Sequence, residues 1–250
     1  MSAFISRAFN ELSARTSLNH GTIKHCLACA LAQTACEFFA VEDCRVDLHK
    51  KIVTPTFQVG SDMEIKVAEL FSPDPVYHDL IPAEFLFKLL GKDVFERTLD
   101  LFKNIIRKVE ADELERKWRK KVRTAVEGVI RENHPDVIEV NLGDGMSGIM
   151  RKAEWTPSET PSYRQGKLFL FYVLKVVREE STVTVHLSRG VPGLPAAILK
   201  TLVPWVTVKT IKRIRGRKTW LRVRPSVPTA VLRELSAKLS GEVIDSYGFD

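Results

Sequence analysis

A run of basic residues near the end of the chain has the residue types best suited to binding chemistry. The segment 206–224, VTVKTIKRIRGRKTWLRVR, contains eight Lys and Arg residues and no acidic residue. Its alternating pattern predicts a β-hairpin that turns at Arg215-Gly216. The basic residues are Lys209, Lys212, Arg213, Arg215, Arg217, Lys218, Arg222 and Arg224.

The second arm of this hairpin is expected to have two different faces, because successive side chains of a strand point to opposite sides. The residues expected to face a core are Thr219, Leu221 and Val223, and those expected on the other face are Lys218, Trp220, Arg222 and Arg224. A cationic face with one aromatic ring suits a single nucleic-acid strand, because phosphates pair with Lys and Arg while a base stacks on the ring.

The alternative interpretation of the hairpin is a solvated basic face with Trp220 packed under a neighbouring domain. Nucleic-acid binding is favoured, because a uniformly positive patch repels itself and the hairpin sequence holds no acidic residue to compensate it. Trp220 and the eight cations are therefore the first set of candidate RNA-binding residues.

A second candidate surface lies on a predicted strand from Lys167 to Val177. Phe169 and Phe171 share one face of this strand and are expected in a core. Tyr172 is on the other face, where it either stacks on RNA or packs between domains. Arg151 and Lys152 lie nearby in the sequence, and they complete the set of candidate RNA-binding residues together with Tyr172.

Residue sets typical of enzymes are not found in the sequence. The six His residues are scattered, and there is neither a Gly-x-x-x-x-Gly-Lys-Ser/Thr loop nor a Gly-x-Ser-x-Gly elbow. The glycines of segment 143–148 lie between predicted strands, which indicates turn geometry rather than a phosphate cradle. We therefore expect a non-catalytic protein without cofactor or metal.

All four cysteines lie in the first fifth of the chain, at positions 26, 29, 36 and 44. The Cys26-x-x-Cys29 pair next to His25 has the spacing of zinc ligands. However, the surrounding residues are small and apolar at helical spacing, where reduced Cys behaves as a small hydrophobe. We expect structural cysteines, because no second Cys-x-x-Cys is present.

The composition indicates a globular protein with a polyanionic partner. The 250 residues carry 38 Lys and Arg against 31 Asp and Glu, a formal net charge of +7, with a sequence pI near 9.2. No apolar run approaches the roughly 20 residues that span a bilayer, and the first residues lack the pattern of a secretory signal. A cytoplasmic protein without membrane contact is expected.

The fold class predicted from the pattern is multidomain α+β. Residues 1–120 are expected to form an α/β head with helices over 4–18 and 22–39, strands over 44–67, and a further helix that begins at Pro82 and leads into a long charged connector. In the connector, Glu113 is expected to pair with Lys117.

The remaining chain is expected to form two small units. Strands predicted over 122–130, 137–142, 167–177 and 182–187 suit a five-stranded OB-type barrel in residues 121–190. Residues 191–250 have the order α-β-β-α-β, with a closing strand over 242–247.

This order of domains and several local motifs resemble the bacterial transcription elongation and termination factor NusA. The residues that carry the resemblance are Tyr163-Arg164-Gln165-Gly166, Leu187-Ser188-Arg189 followed by Pro192, the basic hairpin, and Gly241-Glu242-Val243-Ile244-Asp245. The resemblance implies that the last domain is a truncated K-homology domain. Two features depart from the family: the usual Gly-x-x-Gly loop is absent after Arg224, and the chain ends at Asp250, where the family continues into a second K-homology domain.

The resemblance also implies function and partners. It implies a factor whose head docks on the flap and RNA exit channel region of RNA polymerase, and whose other domains bind nascent single-stranded RNA to modulate pausing, termination and antitermination. We expect the protein to be a monomer. The alternative is a general single-stranded-RNA-binding protein of the ribosome or of RNA decay that does not bind polymerase.

Overall fold

The computed structural model describes the backbone of residues 2–248 and the side chains from residue 9 onward. Its contacts divide the chain into two compact units, one up to Glu110 and one from Ala111, here called the N-terminal and C-terminal units. The three-domain division at residues 120 and 190 stays a prediction. Among residues 2–248, no helix is both long and apolar enough to cross a membrane.

The N-terminal unit combines helices with a small antiparallel sheet. The helices are α1 (Ser2–Arg15), α2 (His20–Phe39), the short α3 (Ile65–Ala68) and most of α4 (Lys92–Arg119). The strands β1 (Asp43–Asp47), β2 (Ile52–Gln58), β3 (Leu80–Pro82) and β4 (Phe85–Leu86) are arranged with β2 beside each of the other three. This confirms the two predicted helices and strands in the first part of 44–67. The strands end at Gln58, however, and Ile65–Ala68, expected among the strands, is helical.

A local sequence signal explains where α2 begins. Asn19 caps its start, accepting a hydrogen bond from the Thr22 amide at 2.8 Å. Along this helix Cys26 is buried with Leu27 and Ala30, so it packs as the small hydrophobe that was expected, while Cys29 is exposed. Phe4, Ile5 and Ala8 have the sequence spacing of an apolar helix face, but their side chains lie outside the described residues.

The prediction of a helix that begins at Pro82 is wrong. Leu80–Pro82 pairs with β2 as a strand, and α4 begins ten residues later, at Lys92. The apolar run 85–89 forms β4 and a 3₁₀ turn (Phe87–Leu89) instead. The connector helix is confirmed, but Lys117 pairs with Asp144 at 2.7 Å and not with Glu113.

The C-terminal unit contains a closed barrel of five strands. In chain order they are β5 (Ala125–Asn133), β6 (Val137–Asn141), β7 (Ser147–Arg151), β8 (Leu168–Glu179) and β9 (Thr182–Ser188). The barrel closes in the order β5-β6-β7-β9-β8, with β7 and β9 parallel. Strand β7 was not predicted from the sequence, because its residues directly follow the glycines at 143 and 145, which indicate a turn. Trp118 at the end of α4 packs on the barrel core.

The rest of this unit follows the predicted order. Helix α5 (Gly193–Leu202), strands β10 (Thr207–Ile214) and β11 (Lys218–Arg224), helix α6 (Thr229–Lys238) and strand β12 (Val243–Tyr247) form a sheet β10-β11-β12 covered by two helices. Leu170 of β8 belongs to the same buried cluster as Ile198, Leu221 and Leu235. The barrel and the β10–β12 sheet therefore share a core.

Two buried Arg–Glu ion pairs connect the barrel to the β10–β12 sheet. Arg189 and Glu159 have fully buried side chains and form a bidentate ion pair. Arg189 also donates to the Leu170 carbonyl at 2.7 Å and to the Lys238 carbonyl at 3.3 Å. Since a buried charge is costly unless it is paired and hydrogen-bonded, this saturation of donors explains how an arginine is tolerated there.

The second buried pair joins the hairpin to the residue directly before β12. Arg213 donates to Glu242 at 2.8 Å, and both side chains are fully buried. Arg213 also donates to the carbonyls of Arg189 and Val191, at 2.9 and 2.7 Å. The two pairs are therefore parts of one network that runs from the barrel to β12.

Removing one member of the first pair is expected to destabilise the C-terminal unit strongly. Glu159→Gln leaves the Arg189 guanidinium buried without a counter-charge, which should lower the free energy of unfolding by about 3–5 kcal/mol. All four Trp residues lie between positions 118 and 220, so their fluorescence in urea reports this unit. The control Asp144→Asn breaks an exposed pair and should leave the midpoint nearly unchanged. Equal losses in both variants would contradict this role.

The same pair should also make stability depend on pH. Burial by itself would raise the pKa of Glu159, but the hydrogen bonds and charge of Arg189 outweigh it, and the pKa lies below its usual range. A carboxyl with a lowered folded-state pKa stabilises above its unfolded value, about 4.3, and loses that contribution as the pH falls through the folded value. The stability gap between wild type and Glu159→Gln should thus narrow below about pH 4. A gap that stays constant in urea titrations down to pH 3 would count against the ionised pair.

Candidate nucleic-acid interface

The basic hairpin is formed by β10 and β11, as the alternation predicts. The two strands are antiparallel, with Lys209 opposite Arg222 and Lys212 opposite Trp220. A β-bulge between Thr210 and Lys212 shifts the register. Gly216 closes the turn at a positive φ of 68°, and a side chain there would collide with Ser158. The tip of the hairpin is thus held against the loop that carries Glu159.

The sheet has an inner face in the core and an outer face in solvent. Thr219, Leu221 and Val223 are buried, which confirms the predicted inner face of β11. The outer face, as the register of the three strands defines it, contains Thr207, Lys209, Ile211, Lys212, Ile214, Lys218, Trp220, Arg222, Arg224, Val243, Asp245 and Tyr247. This set is called the outer sheet face below.

The positive charge of the outer sheet face is only partly compensated. Lys218 forms an ion pair with Asp245 at 2.7 Å. Lys209, Lys212 and Arg224 are exposed and form no ion pair with any residue that the structure describes. Cations held close together without counter-charge create a positive potential that attracts polyanions. The arrangement can therefore bind a row of phosphates.

The indole of Trp220 lies within this charged surface. The ammonium groups of Lys218 and Lys212 are 5.1 and 5.7 Å from the ring centroid. The side chain is partly exposed on the outer sheet face, so the alternative in which Trp220 is packed under a neighbouring domain does not describe this structure. A ring in this position can stack on a base while Lys212, which forms no ion pair among the described residues, reaches an adjoining phosphate.

Arg213 does not belong to the interface, which corrects the expectation from the sequence. Its guanidinium is buried in the pair with Glu242, because the bulge turns this residue to the inner face. Arg215 is exposed at the tip but donates to the Ala153 carbonyl at 2.9 Å. Arg217 is exposed in the turn beside it. The hairpin arginines therefore divide into a structural group and a solvent-facing group.

The candidate RNA-binding residues of the barrel also differ in their surroundings. Tyr172 is partly buried, and its ring packs against Gly193 at the start of α5 and joins the shared core. This corrects its assignment to the RNA-binding set in favour of packing between the barrel and α5. Arg151 and Lys152 are exposed, and Lys152 pairs with Asp136 at 3.2 Å. Because Arg215 bonds to the next residue, Ala153, these two cations lie near the hairpin tip.

Sequence reasoning missed four exposed apolar or aromatic residues of the outer sheet face. Tyr247, Val243, Ile211 and Ile214 are 51, 53, 52 and 42% exposed. The period-two pattern Val243-x-Asp245-x-Tyr247 was a usable signal for one face of β12. The sequence did not reveal that β12 pairs in parallel with β11, which places Tyr247 beside Arg222.

Comparisons with known proteins do not identify the chain: no protein-family model matches it, and a search of curated proteins finds no match. Within residues 2–248, no group of three or more His, Cys, Asp or Glu side chains could hold a metal ion. The physical character of the outer sheet face is therefore the main guide to function.

Binding of single-stranded RNA to the outer sheet face should depend steeply on salt. Contact with about five phosphates predicts an affinity loss on the order of 100-fold between 50 and 200 mM salt. The double variant Lys209→Gln, Arg224→Gln should lower the logarithmic salt slope by about 1.4, measured by fluorescence anisotropy with labelled U12 RNA.

The matched control is Lys200→Gln with Arg233→Gln. It removes the same charge from exposed residues of α5 and α6, the helices on the inner side of the sheet. This control should keep the wild-type slope. A flat salt dependence in the wild type, or an equal change in both double variants, would contradict the interface.

Proposed function

We propose that this chain is a non-catalytic transcription factor of the NusA type, which binds RNA polymerase through its N-terminal unit and nascent single-stranded RNA through its C-terminal unit. The observation that carries the proposal is the outer sheet face, with its exposed cations around Trp220. Such a factor acts by position, modulating pausing, termination and antitermination, and needs no catalytic residues.

The topology of the C-terminal unit supports the assignment. The five barrel strands pair as first, second, third, fifth and fourth, which is consistent with an OB-type barrel. The β10–β12 sheet with α5 and α6 is assigned as the K-homology-like unit. Both residues of the Ser188-Arg189 motif named in the resemblance have a structural role here. The Ser188 hydroxyl accepts a hydrogen bond from the Gly190 amide at 3.0 Å, and Arg189 is the buried arginine of the first pair.

Because the Gly-x-x-Gly loop is absent, the proposal places RNA contact on the outer sheet face. The chain passes from Arg224 through Pro225 and Pro228 into α6, with no glycine to let the backbone approach a phosphate closely. The exposed side chains of the outer sheet face supply the cations and the ring instead. RNA binding by such a surface alone is weak, and a second attachment to polymerase raises the local RNA concentration that the surface meets.

The N-terminal unit has surface features that suit a protein partner. Large apolar side chains are exposed along the stretch from α3 to the start of α4: Val67, Leu70, Phe71, Val76, Tyr77, Leu80, Leu86 and Leu89. A contiguous patch of exposed apolar side chains marks a protein-binding site in soluble proteins, and the nearness of these eight residues along the chain supports such a patch here. The proposal assigns RNA polymerase as the occupant, at the flap by the RNA exit channel.

Polymerase binding should depend on this apolar stretch and not on the basic hairpin. Purified polymerase from the native cell should be captured by the tagged full chain. Capture should fall at least about tenfold for Leu70→Ser with Leu80→Ser, whose side chains are 79 and 68% exposed. Lys209→Gln with Arg224→Gln should capture polymerase as the wild type does.

The alternative function, a general single-stranded-RNA-binding protein, makes the opposite prediction. It retains salt-dependent RNA binding but gives no capture of polymerase by the wild-type chain. Full RNA binding without polymerase capture would therefore replace the proposal with this alternative.

A further inference from the structure

The outer sheet face carries a second exposed ring, contributed by the last described strand. Tyr247 of β12 is 51% exposed, and β12 pairs in parallel with β11, so Arg222 lies beside Tyr247 and Trp220 lies beside Asp245. Trp220 and Tyr247 therefore occupy diagonal positions on neighbouring strands of one face. Strand spacing and rise per residue place their Cα atoms about 8 Å apart.

The residues around the two rings form two rows across the sheet. One row is Lys209, Arg222 and Tyr247, and the next is Lys212, Trp220 and Asp245. Each row thus contains an aromatic ring and at least one cation. A polymer that places one base and one phosphate per row matches this repeat, which is the repeat of a single nucleic-acid strand.

We infer that Trp220 and Tyr247 form a two-ring platform on which consecutive unpaired bases of RNA stack, with the cations of the outer sheet face holding the flanking phosphates. This inference rests on the proposed function, since it specifies how the C-terminal unit binds RNA. It also defines the ligand: a single strand with base faces open, because in a duplex those faces are covered by neighbouring base pairs.

The surroundings of the rings favour bases over a peptide or a second copy of the chain. Besides the cations named above, the face includes Arg224, while Asp245, its one carboxylate among the described residues, is paired with Lys218. A basic protein surface opposite it would be repelled, whereas a polyanion is attracted. The exposed Ile211, Ile214 and Val243 lie at or toward the hairpin-tip end, where they can contact the edge of a stacked base.

The decisive experiment compares substitutions of Tyr247 that separate stacking from apolar area. Binding of the full chain to labelled U12 RNA and to a 12-base-pair RNA duplex is measured by anisotropy. Tyr247→Leu should weaken U12 binding by roughly 5- to 150-fold, because one stacked base is lost. Tyr247→Phe should restore binding to near the wild-type level, because it keeps the ring.

Three further measurements make the test specific. Phe38→Leu, which changes a ring 52% exposed in the N-terminal unit, should leave RNA binding unchanged. The salt slope of Tyr247→Leu should equal that of the wild type, because no charge is removed. Unfolding midpoints from Trp fluorescence should show that Tyr247→Leu folds normally, as its exposed position predicts.

The outcomes distinguish the platform from the proposed function. If Tyr247→Leu binds U12 like the wild type while Lys209→Gln with Arg224→Gln is weakened, the platform is overturned and RNA binding by the outer sheet face stands. Equal affinity for the duplex and for U12 also overturns the platform. If the wild-type chain binds neither RNA, the proposed function itself fails. Sedimentation that shows dimers blocked by Tyr247→Leu would assign the face to a second copy instead.

Discussion

The continuous buried network of Arg189, Glu159, Arg213 and Glu242 is the interaction on which the C-terminal unit depends. Glu159 lies in the 3₁₀ helix Pro157–Ser162, and Arg189 directly follows β9. Arg213 lies in the bulged strand β10, and Glu242 directly precedes β12. Glu242 also accepts from the Gly216 amide at 3.1 Å and from the Thr219 hydroxyl. If either member of a pair were removed, the charge of the other would remain buried without a partner. The four segments can therefore form the network only together.

The same network determines which cations remain in solvent. Arg213 is drawn inward to Glu242, and the bulge that allows this turns Lys212 outward, next to Trp220. Without the bulge, the alternation would place Arg213 with Lys209 on the outer side and Lys212 against the core. The burial of one arginine therefore sets the pattern of charge around the ring, and a structural constraint defines the proposed binding surface.

The sequence predicts well what depends on neighbours along the chain, and poorly what depends on distant ones. Helix α2 has small and apolar residues at helical spacing, and β11 has strict alternation, so both elements were predicted, although α2 begins at His20 and not at residue 22. Arg213 was misplaced because a bulge inverts the side of every later residue without any residue that marks it. Pro82 resembles a helix start, yet its segment pairs with β2, and Tyr247 joins the interface only through a parallel pairing with β11. Tyr172 lay on the side predicted, but its partner Gly193 is 21 residues away.

Two kinds of ion interaction in one small unit should respond to salt in different ways. The exposed Lys209, Lys212 and Arg224 are in water, where salt near physiological strength screens charges beyond about 8 Å. The Arg189–Glu159 and Arg213–Glu242 pairs are fully buried, and screening reaches such pairs much less. Rising salt should therefore release RNA while the fold keeps its stability. In the proposed function, a separate unit attaches the factor to the polymerase. That attachment maintains the position of the factor, so its binding to RNA can be weak and quickly reversible.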